Sequence, residues 1–568
     1  MAQSDQFNGR LGLIFASIGA AIGTGNIWRF PRMVGANGGG TFLIPWLIFL
    51  FAWSIPLVIA EFAMGKRSRT GTIGTFRIFA GKKFAWMGLW TAWISTAIGF
   101  YYAIVAGWTI KYFQLGITGG LTGEGVDTTE VWNAFLQSPG QVIFFQFIVI
   151  CLTLAAIWKG AKAIEKVNVV LMISLFVLLF MSLFLSLWMD FEDGSLDGAT
   201  FMFSVDTDLL FEPEIWINAL SQSAWSCSAG MGMAITYAVY MRKDEDTVLN
   251  AFTMGLANNS ISIIAGLAVL SSIFAVSSDP LATVTGGSSA ITFLALPEVF
   301  AQAPGGSIGP FVMMAGFFLA LSFAALTSMI STVELCVRNF VDHGYNRERS
   351  VAITGLALFI FGLPSAVMWI KLDSAGVAFP EFLEVQDHIW GYGLMFSGLF
   401  IAFSIWKYGY IRWKSQVEAG EAPGGFKGYL GVGVSAFRDD FINTGDNDIV
   451  VGRWWDILLY VAFPILFTVL MVSYFSDMIA NTADVWNPGN PKGLGIILAF
   501  WGVVAISFMF LNKYLIQRPI FRNIPEGADV DISTLPGGQD DKVHQLGDLV
   551  PGFEHLASED AVFDAEVV

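Results

Sequence analysis

Long apolar runs, separated by short polar stretches, set the pattern of this chain. A membrane-spanning helix needs roughly 20 apolar residues. On that rule twelve segments qualify, near 10–35, 40–65, 84–113, 141–158, 166–189, 214–241, 248–277, 308–340, 349–371, 381–407, 453–476 and 493–517. The polar stretches alternate in charge. Lys66, Arg67, Arg69, Arg77, Lys82 and Lys83 follow the second run, Lys159, Lys162 and Lys166 the fourth, and Arg242 and Lys243 the sixth. Arg347 and Arg349 follow the eighth run, and Lys407, Arg412, Lys414, Lys427 and Arg438 the tenth. Segments 114–140, 190–213 and 278–307 carry no lysine or arginine. Positive charge marks the cytoplasmic side, so the pattern predicts an all-α polytopic membrane protein with twelve transmembrane helices and both termini in the cytoplasm.

Two runs are interrupted. Gly19 to Arg29 reads GAAIGTGNIWR, with Gly19, Gly23 and Gly25 beside Thr24, Asn26 and Arg29. Gln222 to Gly232 reads QSAWSCSAGMG. Glycine loosens a helix, and hydrocarbon tolerates unwound backbone only where it lines a cavity. A glycine-rich packing surface is the alternative reading of the first stretch alone. The two breaks fall in the first and sixth runs, the same place in two successive sets of five. That match predicts a 5+5 inverted repeat with broken first and sixth helices and a binding site between them. Thr327 and Ser328 in the eighth run are a third candidate. Such hydroxyls commonly bond back to their own helix, but beside freed carbonyls they are suitable ligands for a hard cation.

Composition narrows the class. Of 568 residues, 55% are hydrophobic and 13% charged, where soluble domains carry about 25% charge. Four histidines, and three cysteines (Cys151, Cys227, Cys336) that all lie in apolar runs, offer neither a metal cluster nor a disulfide framework; the chain is not expected to be an enzyme. The net charge of −16 and the lack of a basic patch exclude a nucleic-acid partner. The expected setting is the plasma (cell inner) membrane, with membrane lipid as surroundings. The expected domains are a transporter core over 1–517 and an acidic, disordered cytoplasmic tail over 518–568. Within the core the repeats cover about 10–189 and 214–407, with two extra helices over 453–517. Segments 118–139 and 190–213 are read as solvated outer loops, 287–303 as an amphipathic helix over an outer vestibule, and 415–452 as a long cytoplasmic loop.

RLGLIFASIGAAIGTGNIWRFP followed by NGGGTFLIPW, the Tyr101–Tyr102 pair and the Leu326–Thr327–Ser328 triplet fall in one order. In this the chain resembles the neurotransmitter:sodium symporter family, and most closely its bacterial amino-acid branch, of which the leucine transporter is typical. The resemblance implies two sodium sites. One is formed by Ala21, Asn26, Ser226, Asn258 and the substrate carboxylate. The other is formed by the carbonyls of Gly19, Ile22 and Ala324 with the hydroxyls of Thr327 and Ser328. It also implies that the carboxylate meets Thr24, Gly25 and Tyr102, in a pocket completed by Ala20, Ala21, Gly23, Ile98, Trp225, Ser226, Ser228, Met231, Ser328 and Thr332. Monoamine carriers of the family have an aspartate where this chain has Gly23, so the substrate is expected to bring its own carboxylate. Arg29 and Asp387 correspond to the outer gate.

Three departures accompany the resemblance. Ser4 and Phe7 stand where the family's inner gate has arginine and tryptophan, although Asp342 is present. Ala163 and Ile173 replace a glycine and proline at the start of the fifth span. Chloride-dependent members hold the ion with a tyrosine, a glutamine, an asparagine and two serines. Here Gln222, Ser226, Asn258 and Ser262 match and Trp46 replaces the tyrosine, so a chloride site is expected; Glu334, elsewhere in the eighth span, is the alternative source of the negative charge that chloride would supply. The expected function is sodium-coupled uptake of a neutral, hydrophobic amino acid by alternating access. A symporter for a non-α amino acid or osmolyte, or a non-transporting receptor-like scaffold, are the alternatives.

Overall fold

The computed structural model describes residues 6–7, 9–122, 126–191, 194–242, 245–285, 291–372, 376–444, 448–487 and 489–517. Ser4 and the tail 518–568 lie outside these. Among the described residues ten helices are long and apolar enough to cross a membrane: Gly40–Ser68, Lys82–Thr118, Pro139–Ile157, Ala161–Asp190, Thr247–Val276, Ile308–Asp342, Arg347–Val367, Glu381–Glu418, Arg453–Asn481 and Leu494–Leu515. An eleventh span is the pair Arg10–Ala21 and Gly25–Ala36, bent by 54°. The twelfth, the sixth expected run, is split into Pro213–Ser226 and Met233–Ala238, each too short to cross alone. Both breaks therefore fall where the glycines predict them.

The third and eighth spans, Lys82–Thr118 and Ile308–Asp342, form the packed centre, and 83% and 67% of their apolar windows are buried. The outermost helices, Arg453–Asn481 and Leu494–Leu515, are only 28% and 17% buried. Lipid supplies the apolar environment for the rest, so these helices need no apolar partner face.

Three loop expectations are corrected. Segment 118–139 contains the helix Thr128–Leu136, capped by Asp127, whose side chain accepts from the amides of Thr129 and Glu130. Trp132 on this helix is fully buried, stacks on Phe293 at 5.1 Å and donates to the Ala378 carbonyl at 2.8 Å. Segment 190–213 contains Asp197–Phe203, docked so closely that a Cβ on Gly198 would fall 2.5 Å from the backbone of Ser271. Segment 415–452 contains four consecutive helical stretches from Gly425 to Ile442. Their buried Phe437 and Phe441, one turn apart, pack on Phe79 at 5.7 and 5.3 Å. In each case glycine and acid content masked a few apolar residues at helical spacing, which the bundle ends could bury. The amphipathic segment 287–303 is helical over Ile291–Ala295 and Leu296–Phe300. Ile370–Leu372 and Ala378–Pro380 form an antiparallel hairpin in register Ile370↔Pro380, in place of the last residues of the ninth run.

Candidate functional site

The first helix ends at Ile22 because that residue turns extended, with φ −77° and ψ 117°. The Asn26 side chain closes the gap by accepting from the Gly23 amide at 2.9 Å, and helix resumes at Gly25. The carbonyls on either side of the break turn to side chains. Ser228 Oγ donates to the Ala20 carbonyl at 3.1 Å, and Ser328 Oγ to that of Ile22 at 3.0 Å. The sixth span breaks through three left-handed residues, Ser228 (φ 51°), Gly230 (φ 88°) and Gly232 (φ 81°). Its freed amides are held by Glu61, fully buried in the second span, which accepts from Gly230 at 2.5 Å and Gly232 at 3.1 Å.

Two oxygen clusters meet at the first break. Four oxygens crowd Asn26 Nδ2: Asn258 Oδ1 at 2.7 Å, Ser262 Oγ at 2.8 Å, Ser226 Oγ at 3.1 Å and the Asn258 carbonyl at 3.3 Å. An NH2 group has only two hydrogens, so oxygen is in excess, as a hard cation requires. The second cluster gathers the Ile22 carbonyl, Thr327 Oγ1 at 3.4 Å from it and Ser328 Oγ, with the Ala324 carbonyl 3.0 Å from Thr327 Oγ1. Gly19 abuts Thr327, where a Cβ would come within 3.2 Å of the threonine Cβ.

Between the clusters lies a cavity of about 460 Å³, within the size range of small-molecule sites. Every residue named above for substrate, from Ala20 to Thr332, lines it, as do Arg29 and Asp387. Tyr102 Oη accepts from the Thr24 amide at 3.1 Å and from Thr24 Oγ1 at 3.2 Å, which leaves the phenol hydrogen for an anion. A Cβ at Gly25 would meet nothing within 4 Å, so the backbone there fronts open space. A Cβ at Gly23 would instead fall 2.7 Å from Ser328 Oγ and 3.1 Å from Tyr102 Oη. Arg29 and Asp387 share the cavity but hold other partners. Arg29 Nη2 donates to Ser221 Oγ at 3.3 Å, and Tyr101 Oη donates to Asp387 Oδ1 at 2.7 Å.

The residues expected for chloride are partly assembled. Ser226, Asn258 and Ser262 share the Asn26 cluster, and Gln222 lines the cavity. Trp46 is buried against Phe30 at 4.5 Å with its Nε1–H making no hydrogen bond. Glu334 is not available to supply that negative charge in place of chloride. Arg347 binds it through two nitrogens at 3.0 and 2.6 Å, and Tyr240 donates to it as well. Beside that group Phe7 lies edge-on to Tyr237 and Tyr240 at 6.0 and 5.8 Å, and Asp342 pairs with Arg338 within its own helix.

The model of the sodium:neurotransmitter symporter family matches residues 4–139 and 132–430. The chain belongs to this family. The symporter is 30% identical over 414 residues to an uncharacterised sodium-dependent transporter of Bacillus subtilis, YhdH, covering 71% of this chain and 88% of that one. It is 28% identical over 540 residues to an uncharacterised sodium-dependent transporter of Methanocaldococcus jannaschii, covering 91% and 98%. The crystal structure of MhsT in complex with L-phenylalanine superposes with a TM-score of 0.68 at 29% identity, over 83% of this chain and all of that one. The protein is thus an integral membrane, sodium-dependent transporter of a small molecule.

Sequence reasoning missed three residues of the symporter's site. Glu61 had a signal, since a lone acid within an apolar run is costly unless it is bound. Tyr101, seen only as half of a motif, holds Asp387. Gly391 had no signal: a Cβ there would fall 2.7 Å from the edge of the Trp225 indole, so its bareness makes room for the large lid residue.

Proposed function

We propose that the symporter couples sodium entry to uptake of a neutral, hydrophobic α-amino acid by alternating access. The observation that carries this is the convergence, in one cavity, of Asn26 and Ser226 from the first oxygen cluster and Ser328 from the second with the Thr24–Gly25–Tyr102 cradle around a bare Gly23. One sodium takes the Ala21 carbonyl, Asn26, Ser226, Asn258 and the substrate carboxylate; the other takes Gly19, Ile22, Ala324, Thr327 and Ser328. The shared carboxylate couples the first ion to the substrate, and that coupling is reciprocal. Apolar Ile98 and Met231, with the Trp225 indole, suit an aliphatic or aromatic side chain, and the phenylalanine held by MhsT supports that class. The two five-span repeats rock about the broken helices.

The test is uptake of radiolabelled amino acid into proteoliposomes with and without an inward sodium gradient. Leucine, phenylalanine and tryptophan are expected to compete, and β-alanine and taurine are not. Competition by the latter pair would move the assignment to non-α amino acids or osmolytes, and absence of concentrative uptake would leave a receptor-like scaffold.

Two finer assignments have their own tests. Arg29 and Asp387 form an outer gate that closes over bound substrate, each leaving its present partner. Arg29→Ala is expected to cut uptake by roughly tenfold or more, given the cost of an unpaired intramembrane charge on Asp387, while sodium binding stays measurable. Normal uptake by this variant would remove the assignment. The second is chloride, for which the orphan Trp46 Nε1–H is a ready donor. Replacing chloride by gluconate is expected to slow uptake; an unchanged rate would sink the chloride site.

A further inference from the structure

Asn168 presents an unexplained polar group deep in the cytoplasmic half of the bundle. It is fully buried in the fifth span, and neither its Oδ1 nor its Nδ2 makes a hydrogen bond among the described residues. Leaving a buried amide unsatisfied is costly, and polar groups kept inside membrane helices mark functional routes. Its polar neighbour is the Tyr237 hydroxyl, placed beside it but outside hydrogen-bond geometry.

Helix register locates the group. Gly12 of the first helix faces Glu165, and Gly19 faces Met172. The two contacts are seven residues apart on both helices, so Asn168 lies between them on the face toward the half-helix that carries Gly19 and Ile22. A file of oxygens links this level to the second cluster. Ser331 Oγ donates to the Thr327 carbonyl at 3.0 Å and pairs with Tyr237 Oη at 2.8 Å, and the Tyr237 hydroxyl lies beside Asn168 without a hydrogen bond between them. All four residues are buried. Below them the Phe7 ring closes the file, edge-on to Tyr237 and Tyr240, its amide bonded to the Tyr240 carbonyl at 3.2 Å.

The fifth span offers no other help to a departing ion. From Ala161 to Asp190 it is an unbroken helix without glycine or proline, and helices of that kind do not open readily. Sodium keeps several oxygens around it at each stage, so side chains must supply what freed backbone does elsewhere.

We propose that Asn168 Oδ1 and Tyr237 Oη form a transit site for the sodium ion that leaves the Ile22–Thr327 cluster for the cytoplasm, with Phe7 as the plug that must withdraw. This rests on the reading of that cluster as a sodium site. The ion passes from Thr327 to Ser331 and then to Asn168, which makes in transit the bonds it lacks at rest.

The test compares two modes in proteoliposomes holding the full chain. Net uptake down a sodium gradient requires release of sodium inside; substrate exchange with equal, saturating sodium on both sides does not. Asn168→Leu, which removes an orphan amide and keeps the volume, is expected to slow net uptake about tenfold while exchange changes less than about twofold, as for one oxygen lost at the slow step. Tyr237→Phe is expected to show the same split, and Asn168→Ser to retain most net uptake. Net uptake within about twofold of the unaltered protein, or equal loss in both modes, in either Asn168→Leu or Tyr237→Phe would overturn the transit site. If the unaltered protein itself shows no sodium-driven uptake, the symporter reading falls and this inference with it.

Discussion

Uptake of amino acid is expected to fall by roughly 100-fold or more when Gly23 is replaced by aspartate, the equivalent of about 2.8 kcal/mol in apparent affinity. The first part of the loss is steric. Any Cβ at this position comes to 2.7 Å from Ser328 Oγ and 3.1 Å from Tyr102 Oη, and overpacking of this kind costs about 1–3 kcal/mol. Those two hydroxyls belong to the second oxygen cluster and to the proposed carboxylate cradle, so on the proposed reading the strain falls on both ligands together. The second part is electrostatic. An aspartate places a carboxylate where the substrate's own must sit, and two like charges sharing one cradle cannot both keep its donors. Gly23→Ala carries the steric part alone and is expected to fall between the two. Competition binding of phenylalanine in saturating sodium measures the pair. Equal affinities for all three proteins would show that the substrate carboxylate lies elsewhere.

Asn26→Leu is expected to weaken sodium-dependent binding of amino acid by roughly 100-fold. Asn26 sits at the middle of the first cluster, with oxygens of Asn258, Ser262 and Ser226 within 3.3 Å of its Nδ2. Leucine removes the amide at the centre of the cluster and leaves the surrounding oxygens facing hydrocarbon. Because ion and carboxylate stabilise each other reciprocally, the apparent sodium affinity and the amino-acid affinity must weaken together, each by roughly 100-fold. Binding of phenylalanine across a sodium titration, read by thermal shift in detergent, follows both, since a ligand bound to the native state raises apparent stability by mass action. Asn26→Asp keeps an oxygen and is expected to retain sodium dependence. A normal sodium titration in Asn26→Leu would remove the first site from this cluster. Glu61 does not confound the result, because it supports the sixth-span break from the other side, through Gly230 and Gly232.

Much of the molecule was legible in the residue order for one reason: the membrane imposes strong, local rules. Hydrocarbon demands runs of apolar residues of a set length, so the spans could be counted. It punishes unpaired backbone, so glycine clusters inside two such runs marked the breaks before any fold was seen. Single residues with strict geometric duties, such as Gly23 and Asn26, lie in those same stretches. The outer and cytoplasmic connections were less legible. Trp132, Met202 and Phe437 drive short helices into crevices at the ends of the bundle, and their burial depends on neighbours hundreds of residues away.

By itself the sequence determined the class, the span pattern and the position of both breaks, because each follows from local hydrophobicity and backbone freedom; which residues meet at the breaks was implied by the resemblance to the family, not by that pattern. Tertiary structure alone decided what those residues lean on. It paired Glu61 with the freed amides of the sixth span and gave Tyr101 to Asp387 and Ser221 to Arg29. It opened Gly391 to the Trp225 ring, bound Glu334 to Arg347 rather than leaving it to stand in for an anion, and left Asn168 buried without a hydrogen bond among the described residues. These are contacts between distant segments, set by how twelve helices pack, and no local pattern of apolar and polar positions encodes them.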